Sequence, residues 1–272
     1  MDFIGLKVNC SADMQEIVLA ELSLFEFVAF EELEDGIYAA CEEKYWDENE
    51  IKEVLEKYNL SFSFQKVEKI NWNEEWEKNY DPVIIDDQII VRASFHAPRP
   101  AFLHEIIVTP NMTFGTGHHA TTYQVLKYQF GMDHEGKRVL DMGCGTGALA
   151  IMAAQKGATD ILAVDIDEWC VENTTENIGL NNFPEIRVKQ GSVDILEQEA
   201  PFEIILANIN KNILLDQIEM YSTKLKKAGM LVLSGFYEHD IDDLLLHSAK
   251  FQLQYVDRSA RNKWAMLALR KI

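Results

Sequence analysis

Residues 138–154 read Arg138-Val139-Leu140-Asp141-Met142-Gly143-Cys144-Gly145-Thr146-Gly147-Ala148-Leu149-Ala150-Ile151-Met152-Ala153-Ala154. A short apolar run, three alternate glycines and an alanine-rich stretch predict a strand, a tight turn and a helix start. Glycines so spaced let backbone N–H groups approach a ligand closely, and the helix that follows points its N-terminus at it. The segment marks a cofactor cradle. A dinucleotide and S-adenosylmethionine both fit it, since Gly143-x-Gly145-x-x-Ala148 also satisfies the dinucleotide pattern.

Downstream, strand-like runs at Asp160 to Asp165, Ile186 to Gln190, Phe202 to Asn208 and Met230 to Gly235 alternate with helical stretches. Just upstream a helix is expected over His119 to Phe130. Alternating units of this kind build a parallel sheet covered on both faces. The end differs. Phe251 to Val256 and Trp264 to Lys271 are joined only by residues 257–263, too short for a parallel crossover, so the sheet closes with an antiparallel pair.

The first 68 residues carry a separate pattern. A strand-like run with Phe3, Leu6 and Val8 is followed by Ser11, a candidate N-cap, and by apolar residues at helical spacing from Met14 to Leu24. Two runs, Phe27 to Glu31 and Ile37 to Cys41, flank Glu34-Asp35-Gly36, a hairpin signal. Asp47 with Glu50 opens a second helix bearing Ile51, Val54 and Leu55. Ser61 to Val67 alternates as a strand. The order β-α-β-β-α-β predicts a small ferredoxin-like α+β domain. Residues 69–82 read as a connector with a short helix around Asn73 to Asn79, stopped by Pro82. Val83 to Phe95 and Glu105 to Thr109 are strand-like, separated by Pro98 and Pro100. The expected organisation is 1–68, a connector at 69–82, and a large α/β domain over 83–272.

Bulk properties narrow the function. The 272 residues carry a net charge of -20, which disfavours a protein that grips nucleic acid through its phosphates. The charge is uneven: residues 1–69 hold 17 acidic residues against six lysines, a net of -11 on the part that carries no cofactor motif. A negative field suits a basic partner. No signal-peptide pattern or membrane-length apolar run is present, so a cytoplasmic protein without a membrane partner is expected. Cys10, Cys41, Cys144 and Cys170 lack metal or disulfide spacing and read as reduced thiols.

Three features separate the two cofactors. Asp141 stands two residues before the first glycine, where an anion would repel pyrophosphate and attract a sulfonium and an ammonium. The antiparallel finish departs from an all-parallel dinucleotide sheet. Ala207-Asn208-Ile209-Asn210 ends the fourth parallel strand, at the edge where open α/β sheets hold their ligands. Asp165, at the end of the second strand, would take ribose hydroxyls in either class.

With Phe114-Gly115-Thr116-Gly117-His118-His119-Ala120-Thr121-Thr122, Asp141 to Gly147, Asp165-Ile166-Asp167, Ala207-Asn208-Ile209 and Leu233-Ser234-Gly235, the chain resembles class I S-adenosylmethionine-dependent methyltransferases. Within them it resembles the PrmA-type enzymes that methylate ribosomal protein L11. The resemblance covers nearly the whole chain, and its specific part is F-G-T-G-x-H-x-T-T. It implies a Rossmann-like class I methyltransferase sheet with an antiparallel final strand pair, and an N-terminal domain that recognises the substrate. It also implies roles. Thr121 and Thr122 would help close the cofactor pocket, Gly143, Gly145 and Gly147 would line the methionine moiety, and Asp165 would bind the ribose. Asn208 would stand where methyl leaves sulfur, as the catalytic residue. Methyl acceptors would be lysine ε-amines and an N-terminal α-amine of that basic ribosomal protein. Ala120 departs from the pattern at a peripheral position, and the polar Asn210-Lys211-Asn212 depart from it where they imply a substrate mouth that differs in detail.

Duller roles stand beside these. Phe114 and Phe236 read first as core aromatics, and His118 and His119 as locally bonded helix-start residues without metal spacing. Asp167 reads as a helix cap, and Cys144 as a small filler in the turn. Rival functions are a methyltransferase for another protein, for nucleic-acid bases or for glutamine amides, a nicotinamide oxidoreductase, and a module that holds the cofactor without using it. Ile209-Asn210 in place of Asn-Pro-Pro-aromatic speaks against the base and amide acceptors of the first, Asp141 against the second, and Asn208 with the Phe114 to Thr122 segment against the third.

Overall fold

The computed structural model describes residues 2–67, 79–110 and 113–272. The helix expected around 73–79 falls outside them except at its last residue. The chain divides into two compact units, Met1–Tyr80 and Asp81–Ile272.

In the first unit the elements run β1 (Phe3–Asn9), α1 (Ala12–Leu22), β2 (Phe27–Leu33), β3 (Gly36–Glu42), α2 (Glu48–Glu56) and β4 (Ser61–Val67). The sheet order is β2-β3-β1-β4, with every neighbouring pair antiparallel. Asp47 caps α2 by accepting from the amides of Asn49 and Glu50. Ser11 occupies the N-cap position of α1 but makes no side-chain bond there. Leu6, Val8, Ile37 and Ala39 of the sheet and Val18, Leu22, Ile51 and Leu55 of the helices form the unit's core.

The second unit opens with a small sheet of β5 (Val83–Ile85), β6 (Ile89–Ala93) and β7 (His104–Val108). The single run expected over Val83 to Phe95 is thus two strands. Asp86 and Asp87 adopt φ of 46° and 53° and turn the chain back into an antiparallel pair. Aspartates tolerate that region because their short side chains bond the local backbone.

The large sheet comprises β8 (Arg138–Met142), β9 (Asp160–Asp165), β10 (Arg187–Gln190), β11 (Phe202–Asn208), β12 (Leu225–Tyr237), β13 (Leu253–Arg261) and β14 (Trp264–Lys271). Its order is β10-β9-β8-β11-β12-β14-β13, parallel through β12 and antiparallel at β14 and β13. The closing link is tighter than the sequence suggested. Asn262 and Lys263, at φ of 52° and 69°, make a two-residue turn that matches strand twist. Side chains alternate between two cores. Val139, Ile161, Ala163, Ile204 and Leu206 face one; Leu140, Met142, Leu162, Ile205 and Ala207 face the other. Helices α3 (Ala120–Gly131), α4 (Ala148–Gln155) and α5 (Glu168–Leu180) contribute to the first core, α6 (Lys211–Thr223) and α7 (Ile241–Ala249) to the second. Strand order reverses between β8 and β11, and the carboxyl edge at such a switch point is where ligands bind.

Candidate active site

Every glycine of the turn after β8 sits at positive φ: 75° at Gly143, 54° at Gly145 and 76° at Gly147. Space as well as conformation fixes the first two. A Cβ on Gly145 would lie 2.2 Å from the Phe114 carbonyl oxygen, and one on Gly143 would lie 2.2 Å from Ile209 Cγ2. The turn is therefore clamped between the Phe114-Gly115 segment and the chain beyond β11. Thr146 completes the clamp, its amide donating to Phe114 O at 2.9 Å and its hydroxyl to Gly115 O at 2.8 Å.

A buried polar face on α5 supports the turn from beneath. Thr174 Oγ1 donates to Gly145 O at 2.8 Å, and Asn177 Nδ2 to Thr146 O at 2.9 Å. These residues escaped the sequence reading, although three polar residues (Asn173, Thr174, Asn177) at i, i+1 and i+4 where a helix should be apolar were a usable signal. Cys144 fills space as expected, sharing a hydrogen bond with Thr174 Oγ1, and burial pushes its thiol well above the usual range.

A cavity of about 540 Å³ opens at this edge of the sheet. Gly143, Gly145, Asp165 and Asn208 line it, as do Phe114, Ile166, Cys170, Gly191, Ser192 and three residues of α6, Ile213, Asp216 and Gln217. The α6 contribution was missed, though Ile213, Asp216 and Gln217 share one helical face directly after Asn208. Gly147 lies off the cavity and starts α4, and Thr121 turns to His119, its Oγ1 2.7 Å from Nδ1.

Asp165 is held in place by the amides of Gly145 (3.0 Å) and Asp167 (3.1 Å), and Asp167 caps α5 through the amide of Trp169. Asn208 is 8% exposed; its Nδ2 donates to Thr122 Oγ1 at 3.3 Å, while its Oδ1 has no partner. Phe236 is core, whereas Phe114 is half exposed at the cavity, so the two aromatics part company. Phe114 begins a run of ring contacts: to His119 at 5.0 Å, from His119 to Trp264 at 4.6 Å, and from Trp264 to Tyr237 at 4.2 Å.

Asp141 differs from expectation in placement. Alternation along β8 turns it onto the α4 face, fully buried, with Oδ2 accepting the Ala150 amide at 3.1 Å and Oδ1 unpartnered. Burial pushes its carboxyl up to about 7, against the lowering effect of the Ala150 bond.

This donor set discriminates between cofactors. The cavity wall holds Asp165, Asp167 and Asp216 and, among the described residues, no lysine, arginine or histidine. Pyrophosphate would meet uncompensated carboxylates there, whereas a sulfonium with an ammonium is attracted. The glycine cradle, which any Cβ would fill, fits a ligand lying directly on the backbone.

The model for the family described as ribosomal protein L11 methyltransferase (PrmA) matches residues 11–272. The chain belongs to this family. It is similar to the ribosomal protein L11 methyltransferases of Bacteroides thetaiotaomicron, at 38% identity over 94% of each chain, and of Porphyromonas gingivalis, at 42% over 93% of this chain and 89% of the relative. The crystal structure of a ribosomal protein L11 methylase from Lactobacillus delbrueckii superposes with a TM-score of 0.66 at 26% identity, over 71% of this chain and the whole of that one. This PrmA-family chain is a protein methyltransferase with S-adenosylmethionine as its methyl donor.

Proposed function

We propose that the chain methylates ribosomal protein L11 in the cytoplasm, at lysine ε-amines and at the N-terminal α-amine, and that its first unit recognises that basic substrate. The observation that carries the site assignment is Asn208. Its buried, unpartnered Oδ1 stands beside an anionic cavity, at the carboxyl edge of the strand next to the glycine turn.

Gly143 and Gly145 would lie against the methionine part of the cofactor and Asp165 would accept from its ribose hydroxyls. Asn208 marks the end where the acceptor amine arrives. Bound there, the cofactor supplies a methyl group on a positively charged sulfur that leaves as a neutral thioether. The protein's task is to present a neutral amine in line with that carbon. A lysine amine with an ordinary pKa near 10.4 arrives protonated, so it must lose a proton first. Withdrawal from water into a largely apolar cavity favours the neutral form. Asn208 Oδ1 then accepts one remaining N–H and aims the lone pair, while Thr122 Oγ1 fixes the amide so that the oxygen, not the nitrogen, faces the amine.

Asp216 is the lining carboxylate that makes no side-chain hydrogen bond or ion pair with a described residue, so it can receive the proton or pass it on. Asp165 and Asp167 are engaged by backbone amides, and burial raises the Cys170 thiol to about 11. The proton leaves through the open side of the cavity, by way of Asp216 or directly to water. Thr121 acts at one remove, by holding His119 in the aromatic run that begins at Phe114.

The test is transfer of labelled methyl to purified ribosomal proteins, with Asn208→Ala as control. Label on the L11 protein that appears at least tenfold more slowly with the variant supports the reading. Label on no ribosomal protein would overturn the substrate assignment. Calorimetry with S-adenosylhomocysteine and NAD checks the cavity separately.

A further inference from the structure

Strand β2 lies at the edge of its sheet, hydrogen-bonded to β3 on one side only. Such an edge offers a row of unpaired N–H and C=O groups, and native proteins usually cover it or blunt it. Here five consecutive residues, Val28 to Glu32, are exposed, and Val28 (66%) and Phe30 (38%) are large and apolar. The neighbouring helix adds to the apolar surface. α1 packs against β2, and its exposed Ile17, together with Leu24 in the turn just after it, bounds a shallow cavity of about 430 Å³ with Glu16, Ala20 and Glu21.

Charge marks what the edge can accept. From Leu24 to Gly36 the chain carries five carboxylates and no cation. Asp35 is paired with Lys7, but Glu26, Glu31, Glu32 and Glu34 make no ion pair with any described residue. The opposite edge strand, β4, is unlike it, because its Lys66 is already held by Asp2 and Glu43. Pairing of β2 with a second copy would crowd the same carboxylates into one strand pair, and like charges across strands are destabilising. A segment bearing lysines meets the reverse situation. The acidic flank thus blocks self-association and selects for a basic strand.

We propose that the β2 edge is a docking surface which takes an extended, lysine-bearing segment of the substrate protein as an additional strand. Main-chain bonds supply the affinity, Val28, Phe30, Ile17 and Leu24 contact apolar residues of that segment, and Glu31 with Glu32 set the charge preference. The inference rests on the reading of the first unit as the part that recognises a basic protein.

Hydrogen exchange on the full chain, with and without saturating L11 protein, tests it directly. Amides of residues 27–33 should slow at least tenfold in the complex while those of β4 stay unchanged. Glu31→Lys with Glu32→Lys should raise KM for the protein substrate at least tenfold and leave kcat and S-adenosylhomocysteine affinity as they were. The milder Glu31→Ala with Glu32→Ala pair should raise KM by a smaller factor with an unchanged melting curve. Methylation of L11 by the wild type with no protection in β2 and no KM change in either variant overturns the proposal. So does light scattering that shows a dimer which the lysine variant dissociates. Protection at β2 without any methylation would instead sink the catalytic reading and leave the docking surface standing.

Discussion

Replacing Asn208 by alanine should separate activity from stability in an unusual direction. Two opposing changes follow from the geometry. The bond from Nδ2 to Thr122 Oγ1 is lost, at a net cost of about 0.5–1.5 kcal/mol. The buried Oδ1, which has no partner, is also removed, and relief of such an acceptor returns about 1–3 kcal/mol. The sum runs from a loss of about 0.5 to a gain of about 2.5 kcal/mol. At roughly 2–4 °C per kcal/mol for a unit of this size, Tm should fall by no more than about 2 °C and can rise. Activity should behave otherwise. A hydrogen bond to a charged or charging amine is worth about 1.5–3 kcal/mol, so kcat should drop on the order of 10- to 150-fold.

Thr122→Val provides the counterpart. It leaves the Asn208 amide buried without an acceptor, at about 1–3 kcal/mol, and frees it to rotate. That variant should lose both stability and activity. The assays are thermal unfolding, transfer of labelled methyl at saturating cofactor and protein substrate, and calorimetry with S-adenosylhomocysteine. If Asn208→Ala is destabilised by more than about 2 kcal/mol while Thr122→Val is not, the oxygen is satisfied in the folded protein. An Asn208→Ala enzyme within about threefold of wild type would remove the residue from the chemistry, since threefold is under 1 kcal/mol.

Further outcomes follow from other parts of the second unit. Gly145→Ala forces a left-handed alanine, costing about 1–2 kcal/mol, and drives its Cβ into the Phe114 carbonyl, so S-adenosylhomocysteine affinity should fall at least tenfold; Gly131→Ala, with open space around it, should change neither Tm nor affinity. Glu199 is partly buried, which raises its carboxyl, but bonds from Arg187, Lys189 and Arg138 prevail and hold it at about 2. Its folded value lies below the unfolded one, so it stabilises the protein above about pH 4.5. That contribution, on the order of 3 kcal/mol, is lost as pH falls toward 2, and Glu199→Gln should flatten the acid limb of a pH–stability curve. Asp141 has the opposite sign. Its folded value, about 7, lies above the unfolded one, so its effect on stability worsens as pH rises from about 4 through 7. A cationic ligand favours the ionised form, so binding S-adenosylmethionine, whose sulfonium gives it a net positive charge, should release up to about half a proton near pH 7, measured by calorimetry in two buffers, and Asp141→Asn should abolish that release.

The cavity at the edge of the large sheet was largely legible because many of its lining residues are local in sequence. Gly143 and Gly145 are dictated by backbone conformation, and Asp165 and Asn208 by their places at strand ends. Each of those positions can be read from a period of two and a turn. Asp141 shows the limit. Its place beside the glycines suggested a group facing the ligand, but the same period of two that identifies β8 turns it onto the α4 face. Thr121 and Thr122 are adjacent, and only the helix geometry decides that Thr122 meets Asn208 while Thr121 meets His119. Asp86-Asp87 and Asn262-Lys263 were missed for another reason. Their turns depend on positive φ at residues that are not glycine, which composition signals only faintly.

The proposed substrate side is legible in a different currency, net charge and topology, and this follows from the physics of the two tasks. A small cofactor must be held within ångströms, so its site is written in conformational exceptions and buried donors that few residue types can supply. A protein substrate spreads its recognition over a strand edge and an acidic flank, where many residues serve equally well and no single position is indispensable. Sequence reading could therefore place an excess of eleven negative charges on residues 1–69 without saying where they act. The fold adds the missing term. It leaves the outer side of β2 unpaired at the sheet margin and puts on and beside that strand four carboxylates that make no ion pair among the described residues, which turns a bulk property into a surface with a direction.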